Sequence, residues 1–325
     1  MTRTLISLVF AACMLAAPHL ALAQARFDSL VIFGTSLSDP GNAFALLGGT
    51  NTPPDYNVDP LLVPDRPYAR GGHHFSNGAT WVEQLARSRA LASNARPAFA
   101  NSGAKAANYA VGGARANDTA DTLDLAEQVA AFLNDRGGAA PSNALYVVEM
   151  GGNDLRDAML AYLNAGGGIN GELAAGAVIS GALQSIGGSI FALYQAGARK
   201  FLVWNAPNLG LTPAIRMLDT VSPGAAFLAG QLSQGFNAGL EGSVLAGLSL
   251  LPGIELYRFD IFGTLQAVVD DPAAFGLTNV ENACITPQSA PYHCQEFKDY
   301  LFWDGIHPTA AAHAIIAQVA ASALQ

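Results

Sequence analysis

Charge is scarce in this sequence. Charged residues make up 13% of the chain and hydrophobic ones 51%, against about 25% charged in ordinary globular domains. That balance excludes a solvated, disordered polymer, which needs charge in place of apolar surface. Positive charge is scarcer still. With 16 basic against 25 acidic residues the net charge is -9, the wrong sign for binding a phosphate backbone, so nucleic acid is not an expected partner. Three cysteines are too few for a disulfide-stapled miniprotein. Internal repeats, heptads and linkers are also missing. Glycine, by contrast, is abundant: there are 34, where the usual ~7% would give about 23. Many tight turns between strands and helices are expected, within one large α/β domain.

The first residues read as an address. MTRT is a short basic start, an apolar stretch follows, and Ala21-Leu22-Ala23 offers a small-x-small cleavage site, the pattern of a secretory signal peptide. Residues 1–23 are expected to be removed, leaving 24–325 as a single domain that is secreted or periplasmic. A lipid-anchored reading would use Phe10-Ala11-Ala12-Cys13, but the apolar stretch continues past Cys13, where such a chain should turn polar. Export leaves Cys284 and Cys294, ten residues apart around a polar, proline-containing segment. An even pair in an oxidising compartment is expected to form a disulfide. Residues 173–198 carry no charge and are long enough to test for a membrane span. Ile179, Leu183, Ile186, Ile190 and Leu193 recur every three or four positions, which predicts a core-facing helix instead. No stable membrane span is expected.

Five short runs rich in β-branched or aromatic residues, 30–33, 107–111, 145–149, 201–204 and 254–259, alternate with helix-length segments. Alternation of this kind implies parallel strands joined by right-handed crossovers, with helices on both faces. Residues 50–78, rich in Pro, Gly, Asp and His, are too irregular for a crossover helix and too long for an ordinary loop. Ligands of such sheets bind beyond the carboxyl ends of the strands. Three of those ends are chemically loaded: Gly34-Thr35-Ser36-Leu37-Ser38-Asp39, Gly112-Gly113 and Gly151-Gly152-Asn153-Asp154.

Ser36 is expected where a strand turns into a helix, with its own N–H aimed at any developing negative charge, and is a candidate nucleophile. Equally, Ser36 or Ser38 could cap that helix. No Gly-x-Ser-x-Gly occurs, which argues against an α/β-hydrolase elbow. A base for such a serine stands near the other end, in Trp303-Asp304-Gly305-Ile306-His307-Pro308. Asp304, three residues before His307, can hold Nδ1–H and leave Nε2 free to take the serine proton. A helix-capping Asp beside a surface His would read the same way. Pro308 is expected as the first residue of a final helix. Gly113 and Asn153 supply a backbone N–H and a side-chain amide, the donors a tetrahedral oxyanion needs. His73 and His74 suggest a metal, but no further ligand stands at a suitable spacing, so they are assigned to a loop lining the cleft.

Together the blocks FGTSLSDPGN, HHFSNGATW, NYAVGGA, GGNDL, GARKFLVWNAPNLGLTP and YLFWDGIHPT resemble the GDSL, or SGNH, hydrolase family, in its plant-type and secreted bacterial branch. The resemblance implies a three-layer α/β/α, flavodoxin-like sandwich with a five-stranded parallel sheet, and hydrolysis of a small-molecule or lipid ester through an acyl-enzyme. It implies Ser36 as nucleophile, His307 as base, Asp304 as its orienter, and the Ser36 N–H, the Gly113 N–H and Asn153 as oxyanion donors. Gly112 is the alternative to Gly113 if the alignment slips by one. No metal or cofactor is implied. The family carries Asp between Gly and Ser in its first block where this chain has Thr35. That departure predicts a poorly braced nucleophile turn, and an increase in kcat on Thr35→Asp. Other readings stay open: a non-catalytic module binding lipid or glycan in the same cleft, or a phospholipase or carbohydrate acetylesterase of the same family.

Overall fold

A computed structural model of the chain describes residues 27–49, 61–69, 72–100, 103, 105–119, 123–285 and 294–325. The expected signal peptide, its cleavage site and parts of the 50–78 loop lie outside them. Four of the five expected runs form regular strands in one parallel sheet: β1 (Ser29–Phe33), β2 (Ala144–Val148), β3 (Lys200–Trp204) and β4 (Glu255–Phe259), side by side in that order. Residues 107–111 are not a regular strand, which corrects the count of five. They still run parallel to the outer edge of β1, through N–H bonds from Ile32 to the Ala107 carbonyl, from Tyr109 to Ile32 and from Val111 to Gly34. The reason is local. The Asn42 amide takes the Asn108 and Ala110 carbonyls, while the Asn108 side chain bonds the Ser38 carbonyl and the Ala110 N–H. Side chains thus complete what a further strand would. Counted with this edge segment, the strand order is that of the flavodoxin-like arrangement.

Successive side chains point to opposite faces of the sheet, and both faces are covered. Val31, Phe33, Tyr146, Val148, Phe201 and Val203 face one core. It is closed by α3 (Leu125–Asp135), α4 (Gly152–Asn164), α5 (Gly168–Gln195), α6 (Pro213–Val221) and α7 (Ala225–Gly239). Leu30, Ile32, Leu145, Val147, Leu202 and Trp204 face the other. There α2 (Trp81–Ser88) packs beside α10 (Ala310–Ala323). The remaining helices are short connections: α1 (Asn42–Leu46), α8 (Ala246–Leu248), reached from α7 through a π-turn at Leu240–Leu245, and α9 (Ile261–Asp270). The uncharged stretch lies in α5, where Ile186, Ile190 and Leu193 are buried and Ile179 and Leu183 pack against the core. It is a core helix by its packing, although it is also long and apolar enough to cross a membrane. A two-stranded parallel arm, β5 (Asn279–Ala283) and β6 (Tyr300–Phe302), precedes α10. Cys284 and Cys294 are joined at its base with their Cα atoms 5.5 Å apart. Pro308 stands before the cap of α10, because the Thr309 hydroxyl accepts the Ala312 N–H and so starts the helix at Ala310, two residues later than expected.

Candidate active site

The carboxyl ends of β1 and β2 and the loop between β6 and α10 converge. Ser36 follows β1 by three residues, in a tight turn closed by the Ser38 N–H on the Thr35 carbonyl. It does not open a helix, which corrects the expectation. Asp39 and Pro40 intervene: the Asp39 carboxylate takes the N–H groups of Gly41, Asn42 and Ala43, an Asx arrangement that delays α1. Asp39 Oδ2, which takes the Ala43 N–H, also accepts the Gly112 N–H at 2.8 Å. Burial raises the Asp39 carboxyl above the usual range, against these backbone bonds.

His307 Nε2 lies 2.9 Å from Ser36 Oγ, and His307 Nδ1 lies 2.7 Å from Asp304 Oδ2. An ionised carboxylate only accepts, so Nδ1 carries the hydrogen and Nε2 presents its lone pair to the serine. Asp304 Oδ1 also receives the N–H groups of Ile306 and His307, and Oδ2 receives the Tyr68 hydroxyl at 2.9 Å. Ser36 is 8% exposed, His307 2% and Asp304 0%, so the pair is shielded from competing water hydrogen bonds. The Phe75 ring sits 5.4 Å from the imidazole. Gly305 is held between two elements, its N–H on the Leu62 carbonyl and its carbonyl on the Ala214 N–H. A Cβ there would collide with the Leu61 carbonyl, which is why the turn between Asp304 and His307 carries glycine. The described part of the 50–78 loop thus supports the Asp304–His307 loop as well as lining the cleft through Leu61 and Val63.

Asn153 lies in the first turn of α4, its Nδ2 donating to the Ala114 carbonyl at 2.8 Å and leaving a second amide hydrogen over. Its neighbour Asp154 receives the Ala116 and Asn117 N–H groups, tying α4 to the segment after 107–111. Gly113 takes φ +87, while the Gly112 N–H is spent on Asp39. Of the two glycines, only Gly113 keeps its N–H without an acceptor among the described residues. Ser36, Asn153 and His307 open together on one cleft of about 1110 Å³, counting its mouth. Gly113 does not line it. The walls are Leu37, Trp204, Pro207, Leu209, Ile215, Ile261, Leu265 and Phe302 among other apolar residues, and Arg156, one turn after Asn153, brings a charged side chain to them. Cys284 and Cys294 lie away from these residues, packed with Tyr68 and Trp303.

His73 and His74 do not share a ligand site. His73 stacks on Phe44 and His74 pairs with Glu83 at 2.7 Å. An acidic trio elsewhere, Asp118, Asp124 and Glu127, has ligand atoms within 4.8 Å of one another, but the Asp124 carboxylate already receives the Arg115 and Thr119 N–H groups. Sequence reasoning passed over Tyr68, Asp39 and Glu149. Only Asp39 carried a local signal, as the first residue of Asp-Pro-Gly-Asn.

Thr35 is not left slack. Its N–H donates to Glu149 Oε2 at 2.9 Å, and its hydroxyl lies 2.9 Å from Oε1 and 3.1 Å from Oε2. Burial pushes the Glu149 carboxyl up to about 8, against hydrogen bonds from Thr35 and Ser38.

Comparisons with known proteins give the chain's family. The family model described as GDSL-like Lipase/Acylhydrolase matches residues 30–320. A GDSL esterase/lipase of Arabidopsis thaliana is 27% identical over 332 residues, covering 89% of this chain and 87% of the relative. A second from the same plant is 26% identical over 341 residues, covering 93% and 86%. Among solved structures, the lipase Lip_vut3 from a goat rumen metagenome aligns with a TM-score of 0.45 and 14% identity, over 91% of this chain and 96% of the other. With a match that runs from β1 into α10, the chain belongs to the GDSL-like lipase/acylhydrolase family of hydrolases.

Proposed function

We propose that the protein is an exported serine hydrolase that cleaves carboxylic esters through an acyl-enzyme at Ser36. The observation that carries this reading is the chain of two short contacts, Ser36 Oγ to His307 Nε2 and His307 Nδ1 to Asp304 Oδ2. His307 takes the serine proton as Oγ attacks the ester carbonyl. The oxyanion forms against the Ser36 N–H, the Gly113 N–H and the spare Asn153 amide hydrogen. The imidazolium, held by Asp304, then protonates the departing alcohol. Water repeats the sequence in reverse: it loses its proton to Nε2, attacks the acyl carbon, and frees the acid and Ser36. The apolar walls around Ser36 suit an acyl chain rather than a sugar, which favours lipid or aliphatic esters over acetylated glycans. The disulfide favours an oxidising compartment, in keeping with the signal-like N-terminus.

The test is a series of p-nitrophenyl esters of increasing acyl length, alongside a phospholipid and an acetylated glycan. Ser36→Ala should keep the fold and lower turnover by ~10³-fold or more, because serine and base act as a unit. Ser36→Ala retaining a tenth of the wild-type rate would overturn the mechanism.

A further inference from the structure

Glu149 is the buried acid that the proposed reaction does not use. It is 1% exposed and follows β2 directly, its N–H on the Phe33 carbonyl. Its carboxyl reaches across to the turn that presents Ser36, meeting the Thr35 N–H and hydroxyl and the Ser38 hydroxyl. Ser38 Oγ in turn receives the Trp81 indole N–H at 3.0 Å. Just upstream, Gln128 closes the start of the same turn, accepting the Gly34 N–H and donating to the Gly34 carbonyl. A Cβ on Gly34 would stand 2.8 Å from Glu149 Oε2, so this approach requires glycine. Thr35 lies next to Ser36, so what Glu149 fixes is the residue directly before the proposed nucleophile.

We propose that Glu149 is the positioning residue for Ser36. It supplies from the end of β2 the carboxyl group that other members of the family carry at position 35, and Thr35 is its matching partner rather than a defect. The inference rests on the reading of Ser36 as nucleophile. Two consequences separate it from a merely structural role. First, a second acid at position 35 would face Glu149 at hydrogen-bond distance in a buried site. With Glu149 held protonated, Asp at position 35 must either be a buried charge or take up a proton of its own, and in both cases the Thr35 hydroxyl contacts that fix the turn are lost and the turn shifts. Thr35→Asp therefore slows the enzyme, reversing the expectation drawn from the family pattern. Second, the groups that meet the carboxyl, Thr35, Ser38 and Gly34, do not titrate, while the titratable groups of the same turn and its partner loop are Asp39, bonded to the Gly41, Asn42, Ala43 and Gly112 N–H groups, and His307, bonded to Ser36. Glu149, held protonated by burial to about 8, keeps negative charge away from the developing oxyanion below that pH. Above it, the charge appears beside the site.

The experiment measures the second-order rate of Ser36 labelling by a fluorophosphonate, which reads the nucleophile whatever the natural substrate, with kcat and KM on a p-nitrophenyl ester. Thr35→Asp should slow labelling by about tenfold or more, as expected for displacement of a nucleophile by a fraction of an ångström. Adding Glu149→Gln to that variant should restore much of the rate, since the amide can donate to Asp at position 35. Glu149→Gln alone should keep roughly a tenth or more of the labelling rate and lose the decline with midpoint near 8 that the wild type shows. The losses should fall on kcat and leave KM nearly unchanged. Thr35→Asp labelling at or above the wild-type rate would overturn the proposal, as would an alkaline decline that persists in Glu149→Gln. Should the double variant fail to fold, the Thr35→Asp and Glu149→Gln arms still decide. A wild type that is not labelled and cleaves no ester would overturn the hydrolase reading instead.

Discussion

At the scale of single residues, the proposed catalytic constellation is held by side chains outside it. Tyr68 donates to the same Asp304 oxygen that faces His307 Nδ1, so it competes for that oxygen while fixing its direction. Tyr68→Phe should leave the fold intact and lower kcat by roughly three- to tenfold, the loss of one hydrogen bond to a charged group. Steady-state kinetics check this, with Asp304→Asn as the larger-effect control. His313 acts on stability. Its Nδ1 accepts the Trp81 N–H at 3.2 Å, and burial, helped by nearby His74 and His307, pushes it down to about 3. The unfolded chain binds this proton at about 6.5, so stability from His313 is complete above that pH and lost as pH falls toward 3. Urea midpoints from pH 7 to pH 4 should fall less steeply in His313→Asn than in the wild type. Ser36, Asn153, Asp304 and His307 were legible because each stands within a few residues of a strand end or a helix start, with its chemistry in the local spacing. Tyr68 and Glu149 were not. Their partners lie 236 and 114 positions away, and no local pattern encodes such a pairing.

Elements position these residues through their ends. α10 begins beside the base, with Thr309 Oγ1 accepting the Ala312 N–H at 3.1 Å and donating to the Tyr300 carbonyl at 2.8 Å. Thr309→Val should cost about 1 kcal/mol, the usual value of a lost N-cap, visible as a lower denaturation midpoint with a small effect on KM. The segment 107–111 ends at Gly112, where an added Cβ would fall on the Phe75 ring, the ring that faces His307. Gly112→Ala should therefore lower kcat and cost ~1–3 kcal/mol as overpacking; an unchanged rate would show that Phe75 yields freely. Four regular strands could be read from hydrophobic runs since both sheet faces are buried. The edge segment could not be told from a strand, because its composition is strand-like and its departure lies in the Asn42 and Asn108 side-chain bonds. Pro308 misled by two residues, since Thr309 is the cap and the helix begins at Ala310.

Across the whole molecule, two buried layers lock a sheet whose carboxyl end carries the site. The Cys284–Cys294 bridge closes a short loop at the base of the β5–β6 arm, where the Cys284 and Ile285 N–H groups bond the Phe302 and Trp303 carbonyls. A loop of that length contributes roughly 2 to 3 kcal/mol by the chain-entropy account. Replacing both cysteines by serine should lower the denaturation midpoint accordingly and loosen Trp303, the residue before Asp304, so kcat should fall along with stability. The three-layer architecture was legible from alternating strands and helices. The arm was not, being too short for periodicity to reveal. Ser36 and His307, finally, are bonded across 271 positions. Contacts so remote form late, after the intervening chain has paid its loop-closure entropy by assembling the sheet and both layers. In a refolding experiment the hydrophobic core and helical signal should thus return before reactivity toward a fluorophosphonate does. On the proposed mechanism, a chain still emerging during synthesis, with β1 built and α10 not yet made, holds Ser36 without His307 and should stay chemically silent until the last helix docks.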